Sequence, residues 1–221
     1  DSGTLNIQQS TQRAIIDWIH FNIQSDEQVH FNLPSSDSVN LSRVTGGSPS
    51  EIFGKLTSNG NLFLINPNGI LFGQSARVDV NGLVATTSDI SNQDFMAGNY
   101  RFNTPSPFNR SVVNRGHITV KQGGLAAFVA PGVENSGIIQ ARLGRVSLVS
   151  GKTFTLDLYG DQLVSLGLDS EVTGDVLGPN GLRMTSLVNN SGNIFADGGV
   201  VALEVNAARN LVDNAINMSG V

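Results

Sequence analysis

The chain has 221 residues, a formal net charge of −5, 14% charged residues, 25 glycines and no cysteine. That length buries one sizeable core or two small ones. The missing cysteines exclude disulfides and thiolate metal sites, the acidic balance argues against nucleic acid as a partner, and no apolar run approaches the ~18 residues of a membrane-crossing helix.

In chain order, Asp1-Ser2-Gly3 does not open like a signal peptide, so any export signal is expected to lie outside this sequence. Residues 5–33 read as strands. Ile19, Phe21 and Ile23 alternate with His20 and Asn22, and Val29, Phe31 and Leu33 alternate with His30 and Asn32. Period-two alternation gives one dry and one wet face. Residues 1–50 are accordingly assigned to capping strands and a loop covering the open end of a repeat. Ser48-Pro49-Ser50-Glu51 has a helix-start pattern, predicting one or two helical turns over 52–56 before Ser58-Asn59-Gly60 stops them.

Residues 59–73 form the organising stretch. Two apolar bursts, 62–65 and 70–72, are each too short for a helix and suit a strand. Asn66-Pro67-Asn68-Gly69 separates them. Pro67 fixes φ, Asn68 tolerates left-handed backbone and bonds its own main chain, and Gly69 accepts positive φ. The chain therefore enters a buried layer, turns sharply and enters another.

That unit recurs. Asn81-Gly82-Leu83-Val84-Ala85 reads as an early imperfect copy. Clearer ones begin at Asn114, Asn135 and Asn190, and a fourth, without the glycine, at Asn214. A glycine corner and second strand follow three of them, as in Gly123-Gly124-Leu125. Asn114 to Asn135 is 21 residues and Asn190 to Asn214 is 24, the size of one turn of a parallel β-helix. Equivalent Asn side chains should stack in successive corners and bond the backbone of the next coil. Residues 51–221 are assigned to coils. Two excursions interrupt them, near 88–111 and 157–186, with strands over 163–168, 172–176 and 182–184. Gly178-Pro179-Asn180-Gly181 is a hairpin-type turn between the last two.

Candidate chemistry is thin. His20 and His30 sit on polar strand phases and His117 in a corner; no H-x-x-H pattern exists. Asp157, Asp161, Asp169, Glu171 and Asp175 read as a solvated acidic face, lacking the dense oxygen spacing of a calcium loop. Parallel β-helices include polysaccharide lyases and hydrolases, which need paired carboxylates or a cation with a base on neighbouring coils. Glu134 and Arg142 are the nearest approach and read better as a surface ion pair. Gly-x-Ser-x-Gly is absent. No catalytic residue, metal or cofactor is assigned. A polysaccharide-active enzyme and a free-standing glycan-binding module remain as alternatives.

Three stretches carry a resemblance: Arg43-Val44-Thr45-Gly46-Gly47-Ser48-Pro49-Ser50, then Leu62-Phe63-Leu64-Ile65-Asn66-Pro67-Asn68-Gly69-Ile70, then Asn81-Gly82-Leu83-Val84-Ala85-Thr86-Thr87. Together they resemble the N-terminal two-partner secretion (TPS) domain of filamentous haemagglutinin-like exoproteins of Gram-negative bacteria, over roughly residues 10–205. The resemblance implies an all-β, right-handed parallel β-helix with extra-helical strands. It implies a non-enzymatic secretion signal of a large adhesin, exported through the periplasm and outer membrane to the cell surface. The implied partner is an outer-membrane β-barrel transporter with periplasmic POTRA domains; host or cell-surface glycans would be targets of the rest of the protein. The family's upstream Asn-Pro-Asn-Leu motif has no counterpart here. The expectation is a single monomeric domain, cut from the N-terminal end of a longer protein, in which Asn66, Pro67, Asn68, Gly69 and Ile70 act as a structural corner and Asn114, Asn135, Asn190 and Asn214 as a ladder.

Overall fold

The computed structural model describes residues 3–168, 170–208 and 211–221; Asp1, Ser2 and Asp169 of the sequence reading lie outside these. Nearly all strands belong to three parallel sheets of seven, seven and six strands. From residue 50 the chain visits them in rotation. Ser50–Ile52, Lys55–Ser58 and Asn61–Ile65 lie in the third, first and second sheets, and Ile70–Phe72, Arg77–Val80 and Gly82–Thr86 repeat the circuit. This is a three-faced parallel β-helix.

Register stacks like on like. In the first sheet Val29, Leu56, Val78, Ile118, Ile139 and Ile194 fall on one row. In the second, Leu64, Ala85, Phe128, Leu148 and Leu203 do the same. These rows point inward and form one continuous core, within which Phe72 stacks on Phe128 at 5.9 Å. A one-residue slip in any coil would turn its aliphatic row outward, so the rows fix the register.

The second sheet is apolar on both faces, which explains why Asn61–Ile65, Gly82–Thr86 and Leu125–Ala130 are buried at every position. Its outer face is covered by the excursions. After Thr86 the chain forms the helix Asn92–Ala97, capped by Ser91, whose hydroxyl accepts from the Asp94 N–H. The strand Arg101–Phe102 then pairs antiparallel with Phe154–Leu156, which pairs with Val164–Leu166. Phe63, on the outer face of the second sheet, meets the Tyr100 ring at 5.0 Å, while Phe102 stacks on Phe154 at 4.3 Å. The two excursions thus combine into one lid, a pairing not visible in their separate sequences. The second leaves its coil after Ser150, earlier than residue 157. Past it, Gly178 and Gly181 close the expected turn, with Gly181 at φ +73°, but its flanks 172–176 and 182–184 are not strands and meet only through the isolated bridge Leu177–Arg183.

Several local expectations are corrected. Ser50–Ile52 is a strand, not the start of a helix: pairing with Ile70–Phe72 overrides a local signal worth only one or two turns. Thr4–Gln8 and Arg13–Trp18 are the outermost strands of the first and second sheets, parallel members of the solenoid, and no break in register occurs at residue 50. The strand Arg13–Trp18 ends before Ile19, which is 72% exposed. Asn81-Gly82-Leu83 is no copy of the Asn114 corner. Leu83 pairs with Ala126, which aligns Asn81 with the glycine corner before Leu125.

The corners explain the glycines. A Cβ on Gly116, Gly137 or Gly192 would fall on the carbonyl oxygen of the glycine one coil earlier, Gly73, Gly116 or Gly137. A second column, Gly124, Gly144 and Gly199, has the same close approach. Strand spacing of roughly 4.8 Å brings equivalent corners into contact, and only a residue without a side chain fits there. Gly137→Ala is therefore expected to lower unfolding stability by about 2–3 kcal/mol, as overpacking does, read as the urea midpoint. Leu143→Ala, at an exposed neighbouring corner, should shift it far less.

Candidate functional site

The corner between Ile65 and Ile70 is built from local chemistry outward. Asn at the first position, Pro at the second and Gly at the fourth are the preferences of a type I turn. The turn closes through the Gly69 N–H, which donates to the Asn66 carbonyl at 3.0 Å. Asn68 keeps a negative φ, while Gly69 takes φ +104°, a value side chains rarely adopt. The Asn66 side chain is fully buried. Its Oδ1 accepts the Asn68 N–H at 2.9 Å, and its Nδ2 donates to Ser48 O and to Ser50 Oγ, each at 3.0 Å. Asn68 Nδ2 donates to Gly46 O at 2.9 Å.

Main-chain bonds extend the corner to its neighbours. The Ser50 N–H donates to Gly69 O and the Asn66 N–H to Thr86 O, each at 3.0 Å. Ser106 Oγ, from the lid segment, donates to Pro67 O at 2.8 Å. The turn is thus tied to the preceding coil, the following coil and the excursion. The stretch from Arg43 to Ser50 and the stretch from Asn66 to Ile70, far apart in sequence, are two halves of one corner. Beside it lies an open groove of about 160 Å³ lined by Pro49, Glu51, Asn68, Ile70, Arg110 and Pro179.

The Asn ladder forms in part. Asn114 Nδ2 donates to Asn135 Oδ1 at 2.8 Å, and Asn135 Nδ2 to Asn190 Oδ1 at 2.7 Å, all three side chains being fully buried. Asn114 Oδ1 also accepts the Gly116 N–H at 3.0 Å. Asn214 is a correction. It pairs with Ser186 and is exposed, and the residue opposite Asn190 is Met218, whose sulfur lies 3.3 Å from Asn190 Nδ2. The similarity of Asn214-Ala215-Ile216 to the earlier copies misplaces the register by four residues.

Arg43 is a hub that sequence reasoning named only within a motif. Its Nε donates to Asp89 Oδ1 at 2.8 Å, one terminal nitrogen to Asp17 Oδ1 at 3.1 Å and Asn92 Oδ1 at 2.8 Å, the other to Ile90 O at 2.7 Å. The first coil, the second coil and the lid meet on one guanidinium. A second clasp joins Arg13 Nε to the Tyr100 hydroxyl at 3.2 Å, and Tyr159 donates from its hydroxyl to Asp37 O at 2.9 Å. Burial pushes the Tyr100 phenol well above the ordinary tyrosine range. The neighbouring Tyr159 adds to this and Arg13 opposes it. The available signal in the sequence was a lone Arg within an otherwise apolar and small-residue run.

The remaining candidates stand apart. His30 Nδ1 lies 2.7 Å from Thr57 Oγ1 and His117 Nε2 lies 3.2 Å from Gln140 Oε1, both on the first sheet; His20 is exposed. Among the described residues no group of three His, Cys, Asp or Glu is placed to hold a metal ion. In the acidic run, Asp157 and Asp161 accept nearby backbone N–H groups and Asp175 pairs with Arg183 at 3.0 Å. The expected Glu134–Arg142 pair does not form. Glu134 is on the third sheet opposite Val113 and Asn189, while Arg142 follows the first-sheet strand Ile138–Gln140.

Two outcomes are expected. Asn66→Ala strands three partners and should cost about 2–4 kcal/mol of stability, against about 1 kcal/mol for Asn68→Ala, whose side chain is partly solvated; paired denaturation curves decide this. The native fold also holds the Tyr100 proton more tightly than the unfolded chain. That contribution is complete below pH ~10 and lost as pH rises above it. The urea midpoint should fall on raising the pH past that point, and Tyr100→Phe should remove part of the slope; an identical slope in both proteins would contradict the assignment.

Comparison with known proteins agrees with this architecture. The family model described as "TPS secretion domain" matches residues 1–221. A heme/hemopexin-binding protein of Haemophilus influenzae strain Rd is 34% identical over 184 residues, 80% of this chain and 20% of that protein. A second protein of that name from Haemophilus influenzae is 38% identical over 112 residues, 51% of this chain and 12% of its own length. The chain therefore spans a fifth or less of the curated relatives it matches. The crystal structure of the HMW1 secretion domain from Haemophilus influenzae superposes with a TM-score of 0.78 at 30% identity, covering 100% of this chain and 61% of that one. The chain belongs to the TPS secretion domain family and is the secretion-signal domain of an exported exoprotein.

Proposed function

We propose that this domain is recognised by the periplasmic POTRA domains of its outer-membrane β-barrel transporter, and that it then seeds β-helix folding of the coils that follow it in the exported protein. It acts as a monomer and without catalysis. The observation that carries this reading is the bonding of the Asn66–Gly69 turn to both neighbouring coils and to the lid. Those bonds support a role for the motif in forming the shape that is recognised and extended, rather than as a patch of contact residues. A buried side chain such as Asn66 offers a partner nothing to touch. The non-catalytic reading draws support from the placement of the charged repeat residues: Glu134 is on the third sheet and Arg142 follows a first-sheet strand, so the nearest approach to an acid–base pair is not assembled. The binding named for the relatives belongs to proteins at least five times longer than the matched part, and is not assigned to this domain.

The test separates shape from contact. The Asn68→Ala domain is purified, and its thermal midpoint and its affinity for the transporter's periplasmic domains are measured. A lowered midpoint with near-normal binding in the cold is expected. An unchanged midpoint with abolished binding would make the motif a contact site and overturn the reading.

A further inference from the structure

A polar notch of about 280 Å³ lies on the opposite side of the second sheet's lid from the Asn66 corner, where the first sheet turns into the second. Three stretches remote in sequence converge on it: Ser36-Asp37, Gln122-Gly123, and Tyr159 with Gln162. Asn61 and Asn81 form its floor.

Asn81, Gln162 and Tyr159 are held in place. Asn81 Nδ2 donates to Ser36 O at 3.0 Å and to Asn61 Oδ1 at 3.3 Å. Gln162 Nε2 donates to Gly123 O at 2.9 Å. Tyr159 is pinned at its hydroxyl by Asp37 O, with Tyr100 behind it at 3.4 Å, yet the residue is 55% exposed. Gln162 has φ +58°, one of two non-glycine residues in the left-handed region among the described residues. Such backbone is held only where its surroundings over-determine it.

The donors of Asn81 and Tyr159 and one N–H of Gln162 are used internally, the Gln122 amide can donate or accept, and most of the acceptors are left over. Asn81 Oδ1, Gln162 Oε1 and the Asp37 carboxylate have no hydrogen-bond partner among the described residues, and the Gln122 amide is likewise free. A ligand for this surface must supply several donors and an apolar patch that suits a ring face. No Lys or Arg lines the notch, and the nearby Lys121 is drawn to Asp79 at 3.0 Å. Asp37 would repel a carboxylate. A neutral sugar meets all of these requirements. Its hydroxyls donate to the amide and carboxylate oxygens, its C–H face lies on the Tyr159 ring, and it has no charge to leave unpaired.

We propose that this notch is a binding subsite for a single neutral saccharide unit, formed by Tyr159, Asp37, Asn81, Gln122 and Gln162. It is independent of the transporter reading. One open subsite gives weak binding, with a dissociation constant on the order of 1 mM. Weak subsites of this kind act through multiplicity on a glycan-covered surface.

The test uses the intact domain and saturation-transfer NMR with glucose, galactose, mannose, N-acetylglucosamine, lactose and cellobiose, each at about 10 mM, near ten times the expected dissociation constant. Glucuronic acid and N-acetylneuraminic acid serve as the charged comparison. Transfer to at least one neutral saccharide, exceeding that to the acids, is expected. Asp37→Asn should weaken it roughly fivefold, the loss of about one charge-assisted bond, and since that carboxylate bonds nothing, the variant should melt like the parent. Tyr159→Leu should abolish transfer, and Tyr159→Phe should largely keep it. No transfer from any neutral saccharide, preferred binding of the acids, or transfer unchanged in both Asp37→Asn and Tyr159→Leu would overturn the proposal.

Discussion

The fold depends on how backbone polar groups are satisfied where one strand gives way to the next. Within a sheet the ladder does this for every residue. At a corner the ladder lapses, and each buried N–H or C=O left alone costs about 1–3 kcal/mol. Three devices answer that demand here. Asn66 folds its side chain back on its own turn and across to the coil before. Asn114, Asn135 and Asn190 pass one hydrogen bond to the next up the solenoid. The glycine columns let neighbouring corners approach until main chain meets main chain. Each works only if equivalent residues lie in register, so the corner chemistry and the aliphatic rows of the core select the same structure.

The lid adds a constraint that a simple repeat lacks. A solenoid whose coils touch only their neighbours can grow from one end. In this domain Arg43 binds a segment 46 to 49 residues ahead, Arg13 reaches Tyr100 over 87 residues, and Asp37 is bonded by Tyr159 over 122. The outer face of the second sheet, with Phe63 and Val84, is dry only after Phe102 and Phe154 have arrived. Early coils are thus completed by late segments, which makes the domain a cooperative unit and slows its folding relative to a chain of local contacts.

Much of this was legible in the sequence. The short apolar bursts, their interruption by Asn-Pro-Asn-Gly and the 21-residue recurrence of Asn report directly on strands, corner and coil, because corners tolerate few residue types. What misled was local. Ser48-Pro49-Ser50-Glu51 has every mark of a helix start, yet Ser50 and Ile52 are claimed by pairing partners one coil away. Asn214 copies the apolar pattern of its predecessors, but register is set by partners and not by spelling, and Met218 occupies the ladder position. In the sequence the lid shows only as two separate excursions, since nothing in residues 101–102 or 154–156 tells that they pair with each other. The roles of Arg43 and Tyr100 were hidden for the same reason: their partners come from the lid.

The central claim is that the Asn66–Gly69 corner is part of the rigid body of the fold and serves secretion in that capacity. Amide hydrogen exchange of the isolated domain tests it most directly. The Asn66, Asn68 and Gly69 amides each donate within the structure, and they should exchange as slowly as the core strand Leu125–Ala130, opening only with global unfolding. Exchange of those three amides on the timescale of the exposed Gly181 turn, with the core strand still protected, would show a corner that opens by itself and would contradict the account.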